Sequence, residues 1–567
     1  MPPKFSKEMI EKVIFPEGLE DQPRSSPCEA NCPAGNPIQK ASALIQENRI
    51  EEALEYLRSR NPLPGITGRV CGHPCEENCN RNKYDEGLSI RALERFAGDH
   101  SDLTRVMKPK RKESSGKRLA IIGSGPAGMT CAYFSALLGH DVTVFESSPT
   151  LGGIPRMGIP DFRLPKDVVD REIGQILEVG VRPQTNTIVG KDIDFDRILK
   201  EFDACLIAVG TWKEKKLDVP GVESSLPAVS FLKQINLGQR GPIGDKVVIM
   251  GGGGVAFDCA FTATRLGARE VHVVCVEGEA NMCASPEDVL QAQAEGVKVH
   301  YSRMISKVLN KKGKAAGIEY FKISSFEFDE RGSLSVRPVS SQRETLSANT
   351  VISAVGVQPD LKFIEGDHPF RFTLKGTLEV NPKTLSTSVD GVFAAGDVVS
   401  GPSTVAQAIG SGRHAAIAID RYLIGSRSAT PGRVSIRGEG HVVTEDFAVD
   451  YAPHVVAYEE ILNVEFFEKT PRQTTDKLSV AASVHSFEEI DRGLGKNEAS
   501  TEAKRCFHCG HCTSCECCVK DCPGLILRMT PQGPQVAYFD ECWHCGCCRI
   551  ACPSAAILYE FPLNMLV

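Results

Sequence analysis

Cysteines near the end of the chain form the clearest chemical pattern in the sequence. They occur in two runs with the same spacing, C-x2-C-x2-C-x3-C-P, which begin at Cys512 and Cys542. In such doubled runs the fourth cysteine of each run ligates the cluster of the other run. The spacing therefore predicts two [4Fe–4S] clusters, with these ligands: Cys512, Cys515, Cys518 and Cys552 for one, and Cys542, Cys545, Cys548 and Cys522 for the other.

Zinc is the simpler alternative for cysteine pairs, but a zinc ribbon does not need eight cysteines in two identical runs. The doubled run is instead typical of an α+β bacterial-type ferredoxin domain. Four nearby cysteines lie outside the pattern, and two of them, Cys506 and Cys509, continue the x2 spacing. These two can substitute as ligands, so the register at that end of the domain stays open; the other two are Cys517 and Cys547.

A second group of cysteines lies near the beginning of the chain, as a C-x3-C-P motif and a C-x3-C-x3-C motif. Thiolates four residues apart can lie on one side of a helical turn and converge on a cluster. Five cysteines fit neither one nor two all-cysteine clusters evenly, and zinc favours four ligands. We predict one [4Fe–4S] cluster, or two, with one cysteine spare or with Glu94 as a further ligand; the cysteines are Cys28, Cys32, Cys71, Cys75 and Cys79.

The stretch that must organise the rest of the chain is KRLAIIGSGPAGMTCAYFSALLGHDVTVFE, residues 117–146. A short apolar strand leads into G-x-G-x-x-G, a helix follows, and a second strand ends on Glu146. The first glycine makes a tight turn, the second lets the backbone approach a pyrophosphate, and the third lets the helix pack on the strand. Gly123, Gly125, Gly128 and Glu146 therefore predict a dinucleotide site.

A second unit of this kind begins at residue 246, with Gly251, Gly253 and Ala256 in the same positions. Its second strand ends near Glu277, and no arginine follows until Arg303. An acidic residue at this position accepts hydrogen bonds from a free ribose, whereas NADP sites place arginine there. We therefore predict NAD(H), with a solvent-facing Glu277 as the alternative.

Further glycines and polar residues indicate that the first site holds FAD. Gly153 and Arg163 lie in a loop that can approach phosphates, or else form an ordinary surface loop. Gly396 and Asp397 end a late strand, where an aspartate can bind the flavin ribityl chain, and Gln407 lies in the first turns of the next helix.

Composition sets the remaining limits. The chain has 567 residues, which fits roughly three to four domains, and its net charge of −7 gives no indication of nucleic-acid binding. No stretch approaches the ~20 apolar residues of a membrane-spanning helix, and the first twenty residues contain no apolar signal-peptide core. Clustered cysteines without an export signal favour a reducing cytoplasm.

The order of these parts resembles the small (beta) subunit of glutamate synthase and the N-terminal portion of dihydropyrimidine dehydrogenase. The motifs that carry the resemblance include CPAG, RVCGHPCEENC, GSGPAG, GGGGVAFD and AAGD, within about residues 25–425. The tail, led by EAKRCFHCGHC, resembles ferredoxin domains fused to electron-transfer subunits of 2-oxoacid oxidoreductases. The resemblance implies FAD, NAD(P)H and [4Fe–4S] clusters, and by alignment it places Glu94 at a ligand position. Tandem arginines typical of the NADP-binding strand end are replaced here by Val276 and Glu277.

We therefore predict an α/β protein with two Rossmann-like domains, one inserted in the other. The predicted units are a helical iron–sulfur domain (1–115), an FAD domain (116–240 and 352–428), an NAD(H) domain (241–351), a linker (429–501) and a ferredoxin domain (502–567). Helices are expected over residues 37–60, 459–473 and 487–505. The pattern favours an oxidoreductase subunit that passes electrons from a 2-oxoacid-type partner to NAD+, with no separate catalytic side chain. A stand-alone NADH:ferredoxin oxidoreductase and a glutamate synthase small subunit are the alternatives.

Overall fold

The structure is a computed structural model that describes residues 24–364, 366, 368–426, 432–446, 454–531, 533–538 and 541–557. The expectation about the first twenty residues lies outside these ranges, as do parts of the predicted linker and the last ten residues of the predicted ferredoxin domain. Across the described ranges, no helix is both long enough and apolar enough to cross a membrane.

The N-terminal region is a bundle of short helices around an apolar core. Its helices are α1 (Pro27–Ala30), α2 (Ile38–Gln46), α3 (Ile50–Arg58), α4 (Pro64–Val70), α5 (Pro74–Glu77) and α6 (Ile90–His100). The predicted helical stretch over residues 37–60 consists of two helices, because Asn48 adopts a left-handed backbone with φ of +59° and separates α2 from α3. Leu494, Ala499, Ala503 and Cys506, from far along the chain, complete the core of this bundle.

Two parallel five-stranded sheets follow, as the strand–glycine–helix patterns predict. The first has the order β17–β5–β2–β3–β4, with β2 (Arg118–Ile122), β3 (Asp141–Phe145), β4 (Arg182–Gln184), β5 (Ala204–Ile207) and β17 (Val392–Ala394). The helices that belong to this layer are α7 (Pro126–Leu137), α8 (Gly153–Met157), α9 (Lys166–Glu178), α10 (Phe195–Glu201), α14 (Asp397–Ser400) and α15 (Val405–Leu423).

The second parallel sheet lies between β5 and β17 in the sequence and has the order β10–β9–β8–β15–β7. Its strands are β7 (Leu226–Pro227), β8 (Lys246–Met250), β9 (Glu270–Val274), β10 (Lys298–His300) and β15 (Thr350–Ser353), with helices α11 (Ala228–Asn236), α12 (Gly254–Arg265) and α13 (Pro286–Ala294). An antiparallel sheet follows β10, made of β11 (Arg303–Lys311), β12 (Lys314–Phe328), β13 (Leu334–Pro338) and β14 (Glu344–Ser347). The predicted mixed α/β class is confirmed.

The region after α15 is mostly short elements that contact the rest of the chain. It contains a hairpin of β18 (Gly432–Arg437) and β19 (His441–Asp446), then β20 (His454–Val455), β21 (Asp476–Lys477), α16 (Val480–Ser483), β22 (Asp491–Gly493) and α17 (Lys496–Lys504). Strand β20 pairs in parallel with β1 (Arg24–Ser25) at the other end of the chain. Two short strands, β6 (Lys213–Glu214) and β16 (Val357–Gln358), form a separate antiparallel pair.

Of the two helices predicted in this region, the first is wrong, and the second is shorter and more buried than predicted. Residues 459–473 form only 3₁₀ turns at Tyr458–Glu460 and Val464–Phe466, because these residues extend across the N-terminal bundle. Helix α17 begins only at Lys496, after the strand Asp491–Gly493, and it buries Ala499, Glu502 and Ala503 rather than lying exposed.

The last region places two short helices beside a hairpin. These are α18 (Cys517–Lys520), β23 (Leu527–Thr530), β24 (Gly533–Val536) and α19 (Cys547–Ala551). Each helix begins inside one of the two cysteine runs, so that the second half of each run is helical. The domain limits given above stay predictions.

Candidate functional site

The first glycine-rich turn has the geometry that a dinucleotide needs. Gly123 has a φ of +104°, and a Cβ built on it would lie 2.4 Å from the carbonyl oxygen of Ala208. A Cβ on Gly128 would lie 2.1 Å from the carbonyl oxygen of Gly123, so helix α7 packs directly on the turn. A Cβ on Gly125 would meet nothing within 4 Å. The second glycine therefore faces open space at the N-terminus of α7, where phosphates bind.

Glu146 lies beside this turn at the end of β3. Its Oε2 accepts hydrogen bonds from Ser124 N at 3.1 Å and from Ser124 Oγ at 2.6 Å, and its Oε1 accepts one from Ser148 N at 2.8 Å. Gly153 also approaches the turn, since its Cβ would lie 2.7 Å from Gly125 Cα. The structure therefore brings Glu146, Gly125 and Gly153 together, as expected of one site.

Gly396 and Asp397 follow the edge strand β17 and lie beside the same glycine turn. A Cβ on Gly396 would lie 2.9 Å from Ala127 Cβ, so this strand end abuts the first turn of α7. Asp397 Oδ1 accepts a hydrogen bond from Ser403 Oγ at 2.6 Å, and burial raises the pKa of the carboxyl group. Gln407 caps helix α15, because its Oε1 accepts hydrogen bonds from the backbone N and Oγ1 of Thr404, both at 2.9 Å. Its contact with a cofactor stays a prediction.

Arg163 lies in a different environment from the one predicted. Its guanidinium is 2.7 Å from Asp258 and 3.3 Å from Asp288, both in the second dinucleotide unit. Arg156, from the same loop, pairs with Asp170 at 2.6 Å. Arg163 thus joins the two parallel-sheet units through ion pairs. Its role towards phosphates stays a prediction.

The second glycine-rich turn repeats the geometry of the first. Gly251 has a φ of +128°, and its Cβ would lie 2.3 Å from the carbonyl oxygen of Ala354, while a Cβ on Gly253 would meet nothing within 4 Å. Ala256 is fully buried and packs helix α12 onto the sheet. The structure thus provides two open glycine turns, each at the N-terminus of a helix.

Glu277 extends over this second turn. A Cβ on Gly252 would lie 2.6 Å from Glu277 Oε2, and that oxygen is buried with no hydrogen-bond partner. Cys283 Sγ lies 3.5 Å from the other oxygen, Oε1. A buried carboxylate oxygen without a donor is costly, and the ribose hydroxyls of a dinucleotide are suitable donors. The solvent-facing alternative for Glu277 does not hold, because the residue is buried.

The five N-terminal cysteines separate into two groups. Cys32, Cys71 and Cys75 line one small internal cavity together with Glu94, and we call this set the inner site. Cys28 and Cys79 line another cavity with Cys506 and Cys509, and we call that set the outer site. The five cysteines therefore line two cavities rather than one, and Ile38, at the start of helix α2, lines both.

At the inner site, burial dominates the chemistry of the ligating groups. It raises the pKa of Cys71 to about 12 and that of Glu94 to about 7. Three side chains nevertheless orient the carboxylate, since Glu94 Oε1 accepts hydrogen bonds from Thr67 Oγ1 at 2.5 Å, Asn36 Nδ2 at 2.8 Å and Asn61 Nδ2 at 2.9 Å. Bound iron would supply the positive charge that stabilises these groups in their deprotonated, ligating forms.

The inner site also contacts helix α15, which follows Asp397 in the sequence. Ala406, in the first turn of α15, lines the same cavity as the three cysteines and Glu94. The next turns of α15 pack on the N-terminal bundle, since a Cβ on Gly410 would lie 2.1 Å from the carbonyl oxygen of Pro33. Residue 33 directly follows Cys32, so one helix contacts both the glycine turn of the first dinucleotide unit and the cysteine loop.

The C-terminal cysteines group as the crossed pattern predicts. Burial raises the pKa of Cys518 most, and the nearby thiols of Cys552, Cys515 and Cys512 also raise it. Burial likewise raises the pKa of Cys548 most, and the nearby thiols of Cys542, Cys545 and Cys522 also raise it. The fourth cysteine of each run thus lies with the first three of the other. Ligation by these eight cysteines stays a prediction.

The thiols also bear on whether a single metal ion could bind. Within the described ranges, no three His, Cys, Asp or Glu side chains are close enough together to hold one metal ion. A zinc site, in which each sulfur lies about 2.3 Å from one centre, is therefore not preformed among these residues.

Five cysteines lie singly in the sequence, outside every cysteine motif, and such lone cysteines are expected to be buried small apolar side chains. Four of them are buried: Cys131, Cys205, Cys259 and Cys275. Cys283 is exposed, so the expectation for it is wrong. It lies in the loop after β9 that also carries Glu277.

Comparison with known proteins agrees with this arrangement. The family model described as Pyridine nucleotide-disulphide oxidoreductase matches residues 117–412. A second model, Dihydropyrimidine dehydrogenase domain II, 4Fe-4S cluster, matches residues 22–106. The first spans both glycine turns and the beginning of α15, and the second spans the five N-terminal cysteines and Glu94.

Three curated relatives are similar to this chain over most of its length. It is 36% identical over 513 residues to the NADP(+)-dependent formate dehydrogenase subunit beta of Moorella thermoacetica, covering 86% of this chain and 70% of that one. It is 30% identical over 516 residues to the NADPH-Fe(3+) oxidoreductase subunit beta of Geobacter sulfurreducens, covering 86% and 75%. It is 32% identical over 422 residues to the glutamate synthase [NADPH] small chain of Escherichia coli, covering 70% and 88%. The predicted resemblance is confirmed.

Proposed function

Because the chain belongs to the pyridine nucleotide-disulphide oxidoreductase family, we propose that it is an electron-transfer subunit that couples NAD(H) to [4Fe–4S] clusters through FAD. The nicotinamide dinucleotide binds at the Gly251 turn and FAD at the Gly123 turn. The clusters bind at the cysteine groups of the N-terminal bundle and of the C-terminal domain.

One observation carries the proposal. Ala406 of helix α15 lines the inner site, and this helix is capped by Thr404, in the segment that follows Asp397 of the first dinucleotide site. A flavin held by Asp397 and the Gly123 turn would therefore lie near the helix that also lines the inner site. This arrangement supports direct electron transfer between the two.

The protein's own groups hold and orient the cofactors. A bound flavin supplies the one chemistry that side chains lack, since it exchanges two electrons with nicotinamide and single electrons with iron–sulfur clusters. Glu146 would accept hydrogen bonds from the adenosine ribose, the turn at Gly125 would present backbone N–H groups to the pyrophosphate, and Asp397 would accept a hydrogen bond from the ribityl chain. No side chain needs to act as an acid or base.

We propose NAD(H), rather than NADP(H), as the nicotinamide partner. The names of the three relatives specify NADP(+) or NADPH, so the proposal rests on this chain's own residues. The unpartnered Oε2 of Glu277 lies over the Gly252 backbone, where it can accept a hydrogen bond from a free 2′-hydroxyl. A 2′-phosphate would meet a buried negative charge there.

Anaerobic rapid mixing of the purified protein with NADH, and separately with NADPH, tests this proposal. Bleaching of the flavin absorbance should be faster and should saturate at lower concentration with NADH. Faster bleaching by NADPH would contradict the assignment of Glu277. A protein without flavin that oxidises neither nucleotide would be an iron–sulfur scaffold instead, and the whole proposal would fail.

The partner we propose is a subunit that oxidises a 2-oxoacid or a similar low-potential substrate and delivers electrons to the C-terminal domain. The resemblance of the tail to ferredoxin domains fused to such complexes supports this assignment. Two relatives are named as subunit beta of larger enzymes, and their named substrates differ. This variation supports a module that serves different substrate-converting partners.

Two alternatives are separable by experiment. A stand-alone NADH:ferredoxin oxidoreductase would elute alone in size-exclusion chromatography of the natively purified protein, whereas a complex subunit would elute with other chains. A glutamate synthase small subunit would prefer NADPH and bind a glutamine-hydrolysing large subunit. The match to that relative leaves about a third of this chain uncovered, which disfavours the second alternative.

A further inference from the structure

Cys506 and Cys509 lie outside both C-terminal cysteine runs and outside the N-terminal segment matched as an iron–sulfur domain. They nevertheless line one internal cavity with Cys28 and Cys79. We propose that these four cysteines bind an additional [4Fe–4S] cluster at the outer site. Its ligands come from both ends of the chain, so the cluster forms only when the C-terminal segment docks on the N-terminal bundle.

The backbone at Cys506 and Cys509 gives the first independent support. In the two ferredoxin-type runs, the residue before the second cysteine and the residue after it have positive φ: Ser514 at 57° and Glu516 at 61° in one run, and His544 at 50° and Gly546 at 74° in the other. The outer site has the same pattern around Cys509.

There, His508 has a φ of 51° and Gly510 has a φ of 78°. A non-glycine residue with positive φ is uncommon, and its recurrence at the same place in three C-x2-C segments identifies one shared turn. Cys506 and Cys509 thus occupy a third copy of the turn that presents thiolates in the other two runs.

Hydrogen bonds to sulfur give the second support. The backbone N of His508 donates to Cys506 Sγ at 3.4 Å, as Ser514 N does to Cys512 Sγ at 3.4 Å. Asn80 Nδ2 donates to Cys509 Sγ at 3.4 Å. Such N–H donors stabilise thiolate ligands and tune the potential of a cluster. The outer site therefore has the donor pattern of a ligated thiolate.

The four thiols lie close together around one internal cavity. Burial, with smaller contributions from Cys506 and Cys79, raises the pKa of Cys509 to about 12. Burial likewise raises the pKa of Cys28, and the nearby Cys79 and Cys506 contribute to the same shift. Thiols held this close in the interior become stable ligands when iron supplies positive charge.

The docked segment is fixed around the outer site by buried ion pairs. Arg505 is 2.8 Å from Glu502 and 3.2 Å from Asp85, and it also donates to the Glu86 carbonyl oxygen at 2.7 Å. Glu502 Oε1 in turn accepts a hydrogen bond from Ser89 N at 2.7 Å. Residues 502–509 are therefore part of the N-terminal core, in a position to supply ligands to it.

The position of the outer site gives it a role, and this step rests on the proposed function. Ile38 and Ile90 line both the inner and the outer cavities. On the other side, Cys506, Cys512 and Cys515 line one further cavity between the outer site and the ferredoxin-type runs. The outer cluster would thus connect the inner site, beside the flavin, with the C-terminal clusters.

Iron and zinc analysis of the anaerobically purified full chain tests the proposal without any variant. Four clusters require about sixteen iron atoms per chain, at four for each cluster. About twelve iron atoms would overturn the proposal, and so would one zinc per chain that is lost when Cys506 and Cys509 are replaced. Neither result depends on reaction with NADH, so a failure here is separate from a failure of the proposed function.

Variants then locate the cluster. The pair C506A/C509A and the pair C28A/C79A should each lose about four iron atoms, and the quadruple variant should lose no more than either pair, because all four act on one cluster. C517A/C547A, which removes two cysteines outside every group, is the matched control and should keep all its iron. Additive losses, or an unchanged iron content in C506A/C509A, would contradict the assignment. Retained flavin in each variant reports that the remaining chain is folded.

Discussion

The carbonyl oxygen of Pro33 lies directly over Gly410 of helix α15, so that a Cβ on Gly410 would be 2.1 Å from it. This contact joins the cysteine loop of the N-terminal bundle to the helix that begins beside the proposed flavin site. The absence of a side chain at residue 410 therefore sets how closely the inner site can approach the flavin.

Replacing Gly410 with alanine should force these two elements apart. Overpacking of a close contact costs about 1–3 kcal/mol, and we expect a lower urea midpoint for loss of the cluster absorbance together with slower reduction of the clusters after mixing with NADH. Reduction of the flavin itself should be unchanged, since the second dinucleotide unit is untouched.

Gly174 in helix α9 provides the matched control for this substitution. A Cβ there would meet nothing within 4 Å, and glycine to alanine inside a helix stabilises by roughly 0.5–1 kcal/mol. If G410A behaves like G174A in both stability and cluster reduction, the Pro33 contact does not control the approach of the two sites.

Glu277 should decide the choice of nucleotide. Loss of a hydrogen bond to a charged group costs about 1.5–3 kcal/mol, so E277A should bind NADH roughly 10- to 100-fold more weakly. E277R should in addition favour NADPH over NADH, because its guanidinium can pair with the 2′-phosphate. Concentration dependence of flavin bleaching measures both effects.

Glu279, two residues further on and exposed, is the control for Glu277. E279A should leave the preference between NADH and NADPH unchanged. An E277A protein whose NADH dependence equals that of wild type would show that the carboxylate does not contact the ribose.

Arg505 should hold the C-terminal segment on the N-terminal bundle. Removing one partner of a buried ion pair typically costs 3–5 kcal/mol, since the other charge is left unpaired, and both Arg505 and Glu502 are almost fully buried. We expect R505A to increase hydrogen exchange of the backbone amides in α17. R492A is the control, because it removes an arginine whose side chain is 59% exposed. Hydrogen exchange in α17 should not change in this variant. Equal exchange in R505A and R492A would argue against this role of Arg505.

Local patterns in the sequence predicted the dinucleotide units well. Strand β3 has the predicted limits, Asp141–Phe145, and the roles of Gly123, Gly125 and Gly128 follow from spacing because the strand–turn–helix unit is short and self-contained. Asn48 divides the predicted helical stretch over 37–60 into two helices by adopting a left-handed conformation, and the helical periodicity of the flanking residues conceals that break.

Long-range arrangements were not predictable in the same way. Spacing alone cannot reveal that Cys506 and Cys509 meet Cys28 and Cys79, because more than four hundred residues separate the two pairs. The ion pair of Arg163 with Asp258 depends equally on how two distant units pack. The continued x2 spacing before Cys512 was the only local signal for the outer site, and it indicated ligands without identifying their partners.

The most direct test of electron transfer through the inner site compares wild type with C71S/C75S, with C517S/C547S as control. After anaerobic mixing with NADH, flavin bleaching is followed by absorbance and cluster reduction by electron paramagnetic resonance of frozen samples. We expect flavin bleaching in all three proteins, and reduction of the C-terminal clusters in wild type and the control but not in C71S/C75S. Equal reduction of those clusters in C71S/C75S would contradict the account.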